Sequence, residues 1–269
     1  CHAEAFADWL GSHHDRAMEP ATDSTVLGDF DNVTFTSRGV RTRFYREGKK
    51  FMVSTEGPDG TYEAYEISHT FGVYPLQQYL AVFPKGRLQA LRIAWDSEKD
   101  RWYDLYPDLD IEPNEWLHWT GGAMNWNSSC ADCHSTHLRK HYRAETDSFH
   151  TTFALIDVSC EACHGAGKQH IELVSAPDYA EKKGKVDPHL HLLPGISSTE
   201  QVDQCARCHS RRSQFSEDFV PGEKFLDHYL PELLVDGTYF ADGQILDEDY
   251  VYGSFIQSQM YHEGVKCTD

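Results

Sequence analysis

Basic residues are scarce in this sequence, which has 24 Lys and Arg against 43 Asp and Glu and a formal net charge of -19 at pH 7. A nucleic-acid-binding surface needs clustered basic side chains to meet the phosphates, so this balance argues against nucleic acid as a partner. It argues equally against docking on an anionic membrane surface. A basic redox protein is a permitted partner, although acidity more often serves solubility.

Long apolar runs are also missing. No stretch reaches the roughly 20 consecutive apolar residues that a membrane-spanning helix needs, so we expect no transmembrane segment in this chain. No export signal is present either. The chain opens with Cys1-His2 and closes with Cys267-Thr268-Asp269, which resemble the tail and the head of one motif. We therefore expect a chain truncated at both ends, for which a missing leader carries no information.

Cysteine, in contrast, follows a repeated pattern. Complete Cys-x-x-Cys-His motifs occupy residues 130–134, 160–164 and 205–209, and the partial motifs at the two ends account for the rest of the 8 cysteines. This pattern is typical of covalent haem c attachment. Two thiols three positions apart lie on one face of a helical turn and reach both vinyl groups of a porphyrin, while the following His binds iron. The sequence predicts haem c at three complete sites, or up to five with the partial motifs.

The predicted site residues follow directly from these motifs. The predicted haem-binding cysteines are Cys1, Cys130, Cys133, Cys160, Cys163, Cys205, Cys208 and Cys267. The predicted proximal iron ligands are His2, His134, His164 and His209. Arg211 and Arg212 come just after the third motif, following Ser210. A forked guanidinium suits the carboxylate of a haem propionate, so we predict that both bind the cofactor.

Other uses of paired cysteines explain the pattern less well. Zinc sites are the main alternative, since Cys-x-x-Cys pairs also build zinc ribbons. Zinc does not account for a His directly behind every pair, and neither do disulfides. A thioredoxin-like redox pair occurs once within a βαβ pattern rather than in series. A zinc-stabilised binding module stays a minor alternative.

Histidine is abundant enough to supply distal iron ligands. Each iron needs a sixth ligand unless its distal side stays open for chemistry, and 16 His minus the four motif His leaves 12. The better placed ones follow a predicted haem-bearing helix, stand in aromatic runs or lie just beyond a motif. The predicted distal ligands are His14, His118, His170, His228 and His262. His13, next to His14, shares its favourable context. Less favoured are His69, His137, His141, His150, His189 and His191.

The sequence predicts a strand-rich part and a part with short helices. Alternating apolar and polar residues predict strands at 40–46, 50–54, 61–67, 88–95 and 101–106, whereas short helices are predicted at 127–141, 158–174 and 199–212. The predicted fold class is a multihaem cytochrome c, α+β with low regular-structure content, in which short helices and long loops surround stacked haems and carry an antiparallel β insertion. The predicted divisions are a truncated haem-site helix at 1–25, a β-rich insertion at 26–110, and a haem-binding region at 111–269 that is truncated at its C-terminus.

Several strings in the sequence resemble a known family. They occupy residues 71–80, 117–121, 125–136, 160–165, 208–212, 225–229 and 252–255. They are similar to strings in large bacterial multihaem c-type cytochromes, which are often fused to tetratricopeptide repeats and are related to the tetrahaem cytochrome that accepts electrons from hydroxylamine oxidoreductase. The resemblance implies c-type haems, electron transfer, and an exported protein located in the periplasm or outside the cell. The motif residues and the five predicted distal His match the family pattern, whereas His137 and Ala166 stand where Asn and Pro are expected.

Two functions follow as expectations. The first is electron transfer through several, mostly bis-histidine, c-type haems, with redox proteins and neighbouring haem subunits of the same assembly as partners. The alternative is a multihaem oxidoreductase that acts on a small nitrogen or sulfur compound at one open-sided haem. No variant motif, such as Lys in place of a proximal His, marks such a haem. Electron transfer is therefore the favoured function, and no catalytic residue is predicted.

Overall fold

An antiparallel sheet of nine strands dominates the first of the two units into which the chain divides. The computed structural model describes residues 2–191, 195–246 and 250–269, and the units are Cys1–Ser159 and Cys160–Asp269. The strands of this sheet are β1 (Met18–Pro20), β2 (Val33–Ser37), β3 (Val40–Glu47), β4 (Lys50–Glu56), β5 (Tyr62–Phe71), β6 (Leu76–Val82), β7 (Leu88–Ala90), β8 (Ile93–Asp96) and β9 (Arg101–Asp104).

The sheet curls towards a barrel. Its strands follow the order β2-β3-β4-β5-β6-β8-β9, with β1 beside β5 and β7 beside β6. The outermost strands β2 and β9 approach each other, and Ser37 Oγ donates a hydrogen bond of 2.6 Å to Asp104 Oδ2. The mixed helix and sheet content with few helical residues agrees with the predicted class. The description of short helices and loops around haems with a β insertion was wrong for this unit, because a near-barrel sheet forms its framework.

Alternating side chains explain the predicted hairpin of β3 and β4. Thr42 and Phe44 point into the core, whereas Arg41 and Arg43, which alternate with them along β3, are exposed. Gly48 in the connecting turn has φ 59°, a left-handed conformation that glycine adopts at little cost. The strands predicted at 40–46 and 50–54 are confirmed, and β5 confirms and extends the strand predicted at 61–67.

Aromatic rings fill the inside of the curled sheet. Phe44 of β3 stacks on Trp102 of β9 with ring centroids 3.5 Å apart, and Phe30 meets both rings edge-on. Tyr79 of β6 also contacts Phe30 edge-on and is fully buried. Such ring pairs add to the free energy of burial, so contacts between non-neighbouring strands hold the sheet curled.

A second apolar cluster fastens the first motif to the sheet. Met18 of β1 and Phe71 of β5 pack with Trp126 and Ala131, and Trp126 Nε1 donates to Met18 Sδ at 2.8 Å. Trp126 is 1% exposed and Ala131, inside the motif, is fully buried. The helices of this unit are α1 (Ala3–Trp9), α2 (Trp126–Ser129) and α3 (Ala131–His134).

The helix predicted at 127–141 ends early. Ser135 after the motif is extended, and isolated bridges pair Thr136 with Leu155 and Arg139 with Thr152. Thr136 Oγ1 donates to Asp157 O at 2.7 Å and accepts from Ser159 N at 2.9 Å. These bonds hold the segment after the motif outside any helix, so only α2 and α3, which end by His134, are helical within 127–141.

The second unit consists of short helices and one small strand pair in the described residues. Its elements are α4 (Cys160–His164), α5 (Lys168–Val174), α6 (Tyr179–Lys182), α7 (Ser198–His209), β10 (Arg212–Gln214), β11 (Tyr229–Pro231), α8 (Val251–Phe255) and α9 (Gln259–His262). Ala206, Phe225 and Tyr229 form its buried cluster. The predicted divisions at residues 26 and 111 stay predictions. Across residues 2–191, 195–246 and 250–269, no helix has the length and hydropathy to span a bilayer.

Candidate haem-attachment sites

The first complete motif sits on a short capped helix. The Asn125 side chain caps α2 by accepting from Ser128 N at 3.2 Å, and α3 then carries Cys133 and His134. Cys130 lies between the two helices and packs against the second apolar cluster. This helical turn places both thiols on one side, as attachment to one porphyrin requires.

His134 is held in one orientation by the backbone. Its Nδ1 lies 3.0 Å from Ala17 O, and Phe71 meets the ring edge-on at 5.5 Å. A carbonyl oxygen only accepts, so Nδ1 carries the proton and Nε2 keeps its lone pair. Burial also lowers the pKa of His134, which favours the neutral imidazole that binds metals.

The second motif shows the same arrangement. His164, at the end of α4, places Nδ1 2.9 Å from His191 O, and His191 N donates to His164 O at 3.0 Å. Gly165 then takes φ 79° and ends the helix, so the helix predicted at 158–174 is two helices. His170 on α5 places Nδ1 2.8 Å from Pro188 O, so Nδ1 donates to this carbonyl as well.

The third motif lies at the C-terminal end of α7. Ser197 and Glu200 form a capping box at the start of α7, and Ala206 is 1% exposed in the core of the second unit. The helix predicted at 199–212 is confirmed as far as His209, which is exposed. Capping and burial therefore fix the turn that holds Cys205 and Cys208.

Cysteines of separate motifs come together in the second unit. Burial raises the pKa of the Cys163 thiol, and the nearby Cys208 raises it further. Burial likewise raises the pKa of the Cys205 thiol, with contributions from Cys267, Cys163 and Cys208 and a side-chain hydrogen bond to Cys267. The second motif, the third motif and Cys267 are thus close enough to interact electrostatically. The seven described cysteines are thiols rather than disulfides, and Cys1 lies outside the described residues.

Arg211 and Arg212 bind protein groups in this structure. Arg211 Nε contacts Glu232 Oε2 at 2.5 Å. Arg212 Nε donates to Arg207 O at 2.8 Å, and its guanidinium lies 4.2 Å from the ring centre of Tyr229. Their predicted contact with haem propionates stays a prediction.

His118 lies in an unexpected place. It is 5% exposed at one end of the curled sheet, where its Nδ1 is 2.7 Å from Thr120 Oγ1 and its Nε2 is 4.0 Å from Glu56 Oε2. Burial lowers the pKa of His118, and the charge of Arg92 adds to this effect. Its predicted role as a distal ligand stays a prediction.

The remaining predicted histidines occupy varied surroundings. His2, His14 and His262 are exposed, and the ring of His262 contacts Tyr261 at the end of α9. His228 is bound through Nε2 to Glu223 Oε2 at 2.9 Å, while its Nδ1 is buried without a hydrogen-bond partner. The arrangement of His228 therefore differs from that of His134, whose Nδ1 is bound to a carbonyl.

The donor set fits haem c. An imidazole that binds a metal usually donates its other ring N–H to a carbonyl or carboxylate, and this second contact fixes its tautomer. His134, His164 and His170 each show that contact with a backbone carbonyl. Two of these follow a thiol pair on a helical turn, which is the arrangement that the motif requires.

Sequence reasoning missed the groups that orient these rings. The acceptors are the backbone carbonyls of Ala17, Pro188 and His191, and no side-chain pattern marks a carbonyl as an acceptor. The carboxylate of Glu223 on His228 was also missed, although a Glu five residues before a His is a visible signal.

Comparisons with known proteins point to cytochromes. The family model "Cytochrome c554 and c-prime" matches residues 112–165, a segment that includes the first two complete motifs. The solved structure of the outer cell wall cytochrome OcwA matches with a TM-score of 0.58 at 17% identity, over 93% of this chain and 47% of that chain. This chain therefore spans about half the length of that structure, and at this identity the likeness shows a shared fold. No curated protein sequence matches the chain. Together the two matches support a multihaem c-type cytochrome.

Proposed function

We propose that this protein transfers electrons through haem c attached at Cys130/Cys133, Cys160/Cys163 and Cys205/Cys208. When bound, haem c supplies a one-electron carrier at each motif. The observation that carries the proposal is the orientation of His134 and His164, each with Nδ1 tied to a backbone carbonyl behind a thiol pair. Both family and fold comparisons are consistent with this chemistry.

The chain's own residues hold and orient the ligands. The carbonyls of Ala17 and His191 keep the Nε2 lone pairs of His134 and His164 available. His209 is proposed as the third proximal ligand. We propose His170 as a distal ligand, because Pro188 O fixes its tautomer in the same way. His14, His228 and His262 stay predictions as distal ligands. His2 stays a prediction as a proximal ligand, and so do the partial sites at Cys1 and Cys267.

The cellular setting is part of the proposal. Covalent haem attachment and the matched outer cell wall cytochrome support an exported protein, in the periplasm or outside the cell. Its partners are then redox proteins, including neighbouring haem subunits of the same assembly. The kinship with the electron acceptor of hydroxylamine oxidoreductase stays a hypothesis that rests on the sequence resemblance.

The main test counts haems. The full chain, produced with an export signal in a host that attaches haem c, should give a strong Soret band and covalently bound haem in denatured protein. The double variant Cys160→Ala/Cys163→Ala should lose one haem per chain by pyridine haemochrome and mass spectrometry. A colourless protein that binds zinc would overturn the proposal. In the described ranges no three His, Cys, Asp or Glu side chains converge as metal ligands.

A second test separates electron transfer from catalysis. Six-coordinate haems do not bind carbon monoxide without losing a ligand, so the reduced wild type should show little spectral change. His170→Ala should create one high-spin, carbon monoxide-binding haem. His137→Asn, a change in an exposed residue, should not. Carbon monoxide binding by one haem of the wild type, together with turnover of a small nitrogen or sulfur compound, would favour the oxidoreductase alternative.

A further inference from the structure

A cavity opens at one end of the curled sheet, away from the motif helices of the first unit. Its volume is about 370 Å³, which lies in the range of sites for small molecules. The β2–β3 turn, the end of β4, strands β8 and β9, and the segment 109–119 form its walls. Barrel-like sheets commonly hold ligands at such an end.

Two arginines fasten one wall of this cavity. Arg92 binds Asp104 Oδ1 at 2.6 Å and donates to Leu109 O at 3.0 Å. Arg38 forms an ion pair with Asp110 and donates to Pro107 O at 3.2 Å. Both guanidinium charges are therefore matched by carboxylates, and the segment after β9 is held over the opening.

The cavity also has acidic groups that form no ion pair with these two arginines. The lining includes Glu56 and Glu112. Burial raises the pKa of Glu56, and the charge of Glu112 raises it further. His118 is 5% exposed, and its Nε2 is 4.0 Å from Glu56, which is too far for a hydrogen bond. A nearly buried imidazole nitrogen and a carboxylate thus face the same space without bonding each other.

Hydroxyl and apolar groups complete the lining. Thr42 and Thr55 are 3% and 4% exposed, and their hydroxyls share one hydrogen bond of 2.9 Å. Two hydroxyls carry two protons, so the shared bond leaves one proton for another acceptor. Leu91, Ile93 and the ring of Trp119 provide apolar wall, and Trp119 Nε1 is itself satisfied by Glu56 O at 2.7 Å.

We propose that this cavity is a binding site for a small organic ammonium ion with an apolar or aromatic body. The ammonium group donates to Glu56, and the body packs on Leu91, Ile93 and Trp119. Thr120 N donates to His118 Nδ1 at 3.4 Å, so the ring proton of His118 lies on Nε2 and the ammonium group has Glu56 as its acceptor. His118 is then a residue of this cavity rather than an iron ligand. This site does not depend on haem at any motif.

Benzylammonium is a suitable probe, with benzyl alcohol and benzoate as neutral and anionic controls of similar shape. Isothermal titration of the haem-loaded full chain should detect benzylammonium at least tenfold more tightly than either control. Glu56→Gln keeps the backbone carbonyl that accepts from Trp119 and should weaken binding about tenfold to a hundredfold, as expected for a lost charge-assisted hydrogen bond. Glu145→Gln, an equal charge change at an exposed residue outside the cavity, should leave binding unchanged.

Two further variants keep the test decisive. Glu112→Gln changes an exposed carboxylate and should weaken binding by a smaller factor, even if Glu56→Gln folds poorly. His118→Gln should leave the Soret band and the low-spin spectrum unchanged. Equal binding of all three probes, no binding, or no effect of Glu56→Gln would refute the site. A new high-spin haem in His118→Gln would indicate instead that His118 is an iron ligand.

Discussion

Gln89 of β7 joins the sheet to the segment that carries the first motif. Its Nε2 donates to Trp119 O and Gly121 O, both at 3.0 Å, and its Oε1 accepts from Asn125 Nδ2 at 2.8 Å. Asn125 in turn caps α2. Replacing Gln89, which is 1% exposed, by Met keeps the length of the side chain and removes all these bonds.

The expected loss follows from the groups left without partners. Trp119 O and the Asn125 amide are buried, so each costs about 1–3 kcal/mol when its bond is lost, whereas Gly121 is less buried and regains water. Gln89→Met should therefore lower the free energy of unfolding of the first unit by about 3–4 kcal/mol. A typical domain has about 5–15 kcal/mol in total, so the variant folds with a visibly lower midpoint.

Urea unfolding followed by far-ultraviolet circular dichroism measures this loss. Gln78→Met is the matched control, because Gln78 Nε2 makes a single bond of 3.4 Å to Leu91 O and should cost below about 1 kcal/mol. Gln89→Met should also reduce haem attachment at the first motif, since the α2 cap loses its support. Equal midpoints for the two variants would refute the role given to Gln89.

Two further predictions concern backbone strain and acid stability. Gly86 has φ 73°, and an added Cβ would lie 2.1 Å from Phe149 O. Gly86→Ala should therefore lower the thermal midpoint far more than Gly48→Ala, whose added Cβ has open space and costs about 1–2 kcal/mol of left-handed strain. Similar midpoints for the two variants would contradict this. Burial opposes the charge of Asp104, but hydrogen bonds led by the one from Arg92 lower its pKa overall. A lowered folded pKa stabilises the fold above the unfolded value of about 3.9, and this contribution is lost as pH falls through the folded value. Asp104→Asn should therefore cost on the order of 3 kcal/mol at pH 7 and flatten the acid limb of a stability–pH curve, and an unchanged acid limb would count against it.

The motif residues could be predicted from the sequence because their chemistry dictates their spacing. Cys160, Cys163 and His164 must share one helical turn, and α4 covers that turn. The extent of each helix could not be predicted in the same way. Gly165 at φ 79° ends α4, while the residues after His134 pair with a distant segment. Tertiary hydrogen bonds keep the segment after His134 out of a helix, and local propensity does not contain them, whereas the glycine that ends α4 is a local signal.

The sheet was predicted in parts and not as a whole. Alternation in β3, β4 and β5 gave the strands, but closure depends on contacts between residues far apart in the sequence, such as Ser37 with Asp104. The strand predicted at 88–95 is interrupted after Ala90, and β8 begins at Ile93. The position of His118 Nε2 4.0 Å from Glu56 Oε2 depends in the same way on residues far apart in the sequence, and its predicted role as a distal ligand stays a prediction.

The acceptors behind each imidazole separate two kinds of histidine in this protein. For His134, His164 and His170 the acceptor is a backbone carbonyl, so Nδ1 donates to that oxygen, and iron binding through Nε2 would leave this hydrogen bond intact. His228 is the reverse, since its Nε2 binds the carboxylate of Glu223 and only a buried Nδ1 is left. Iron binding through Nε2 of His228 would first have to break that bond, at the cost of a charge-assisted interaction. The ring environment therefore ranks His170 above His228 as a distal ligand, although both match the family pattern equally well by sequence.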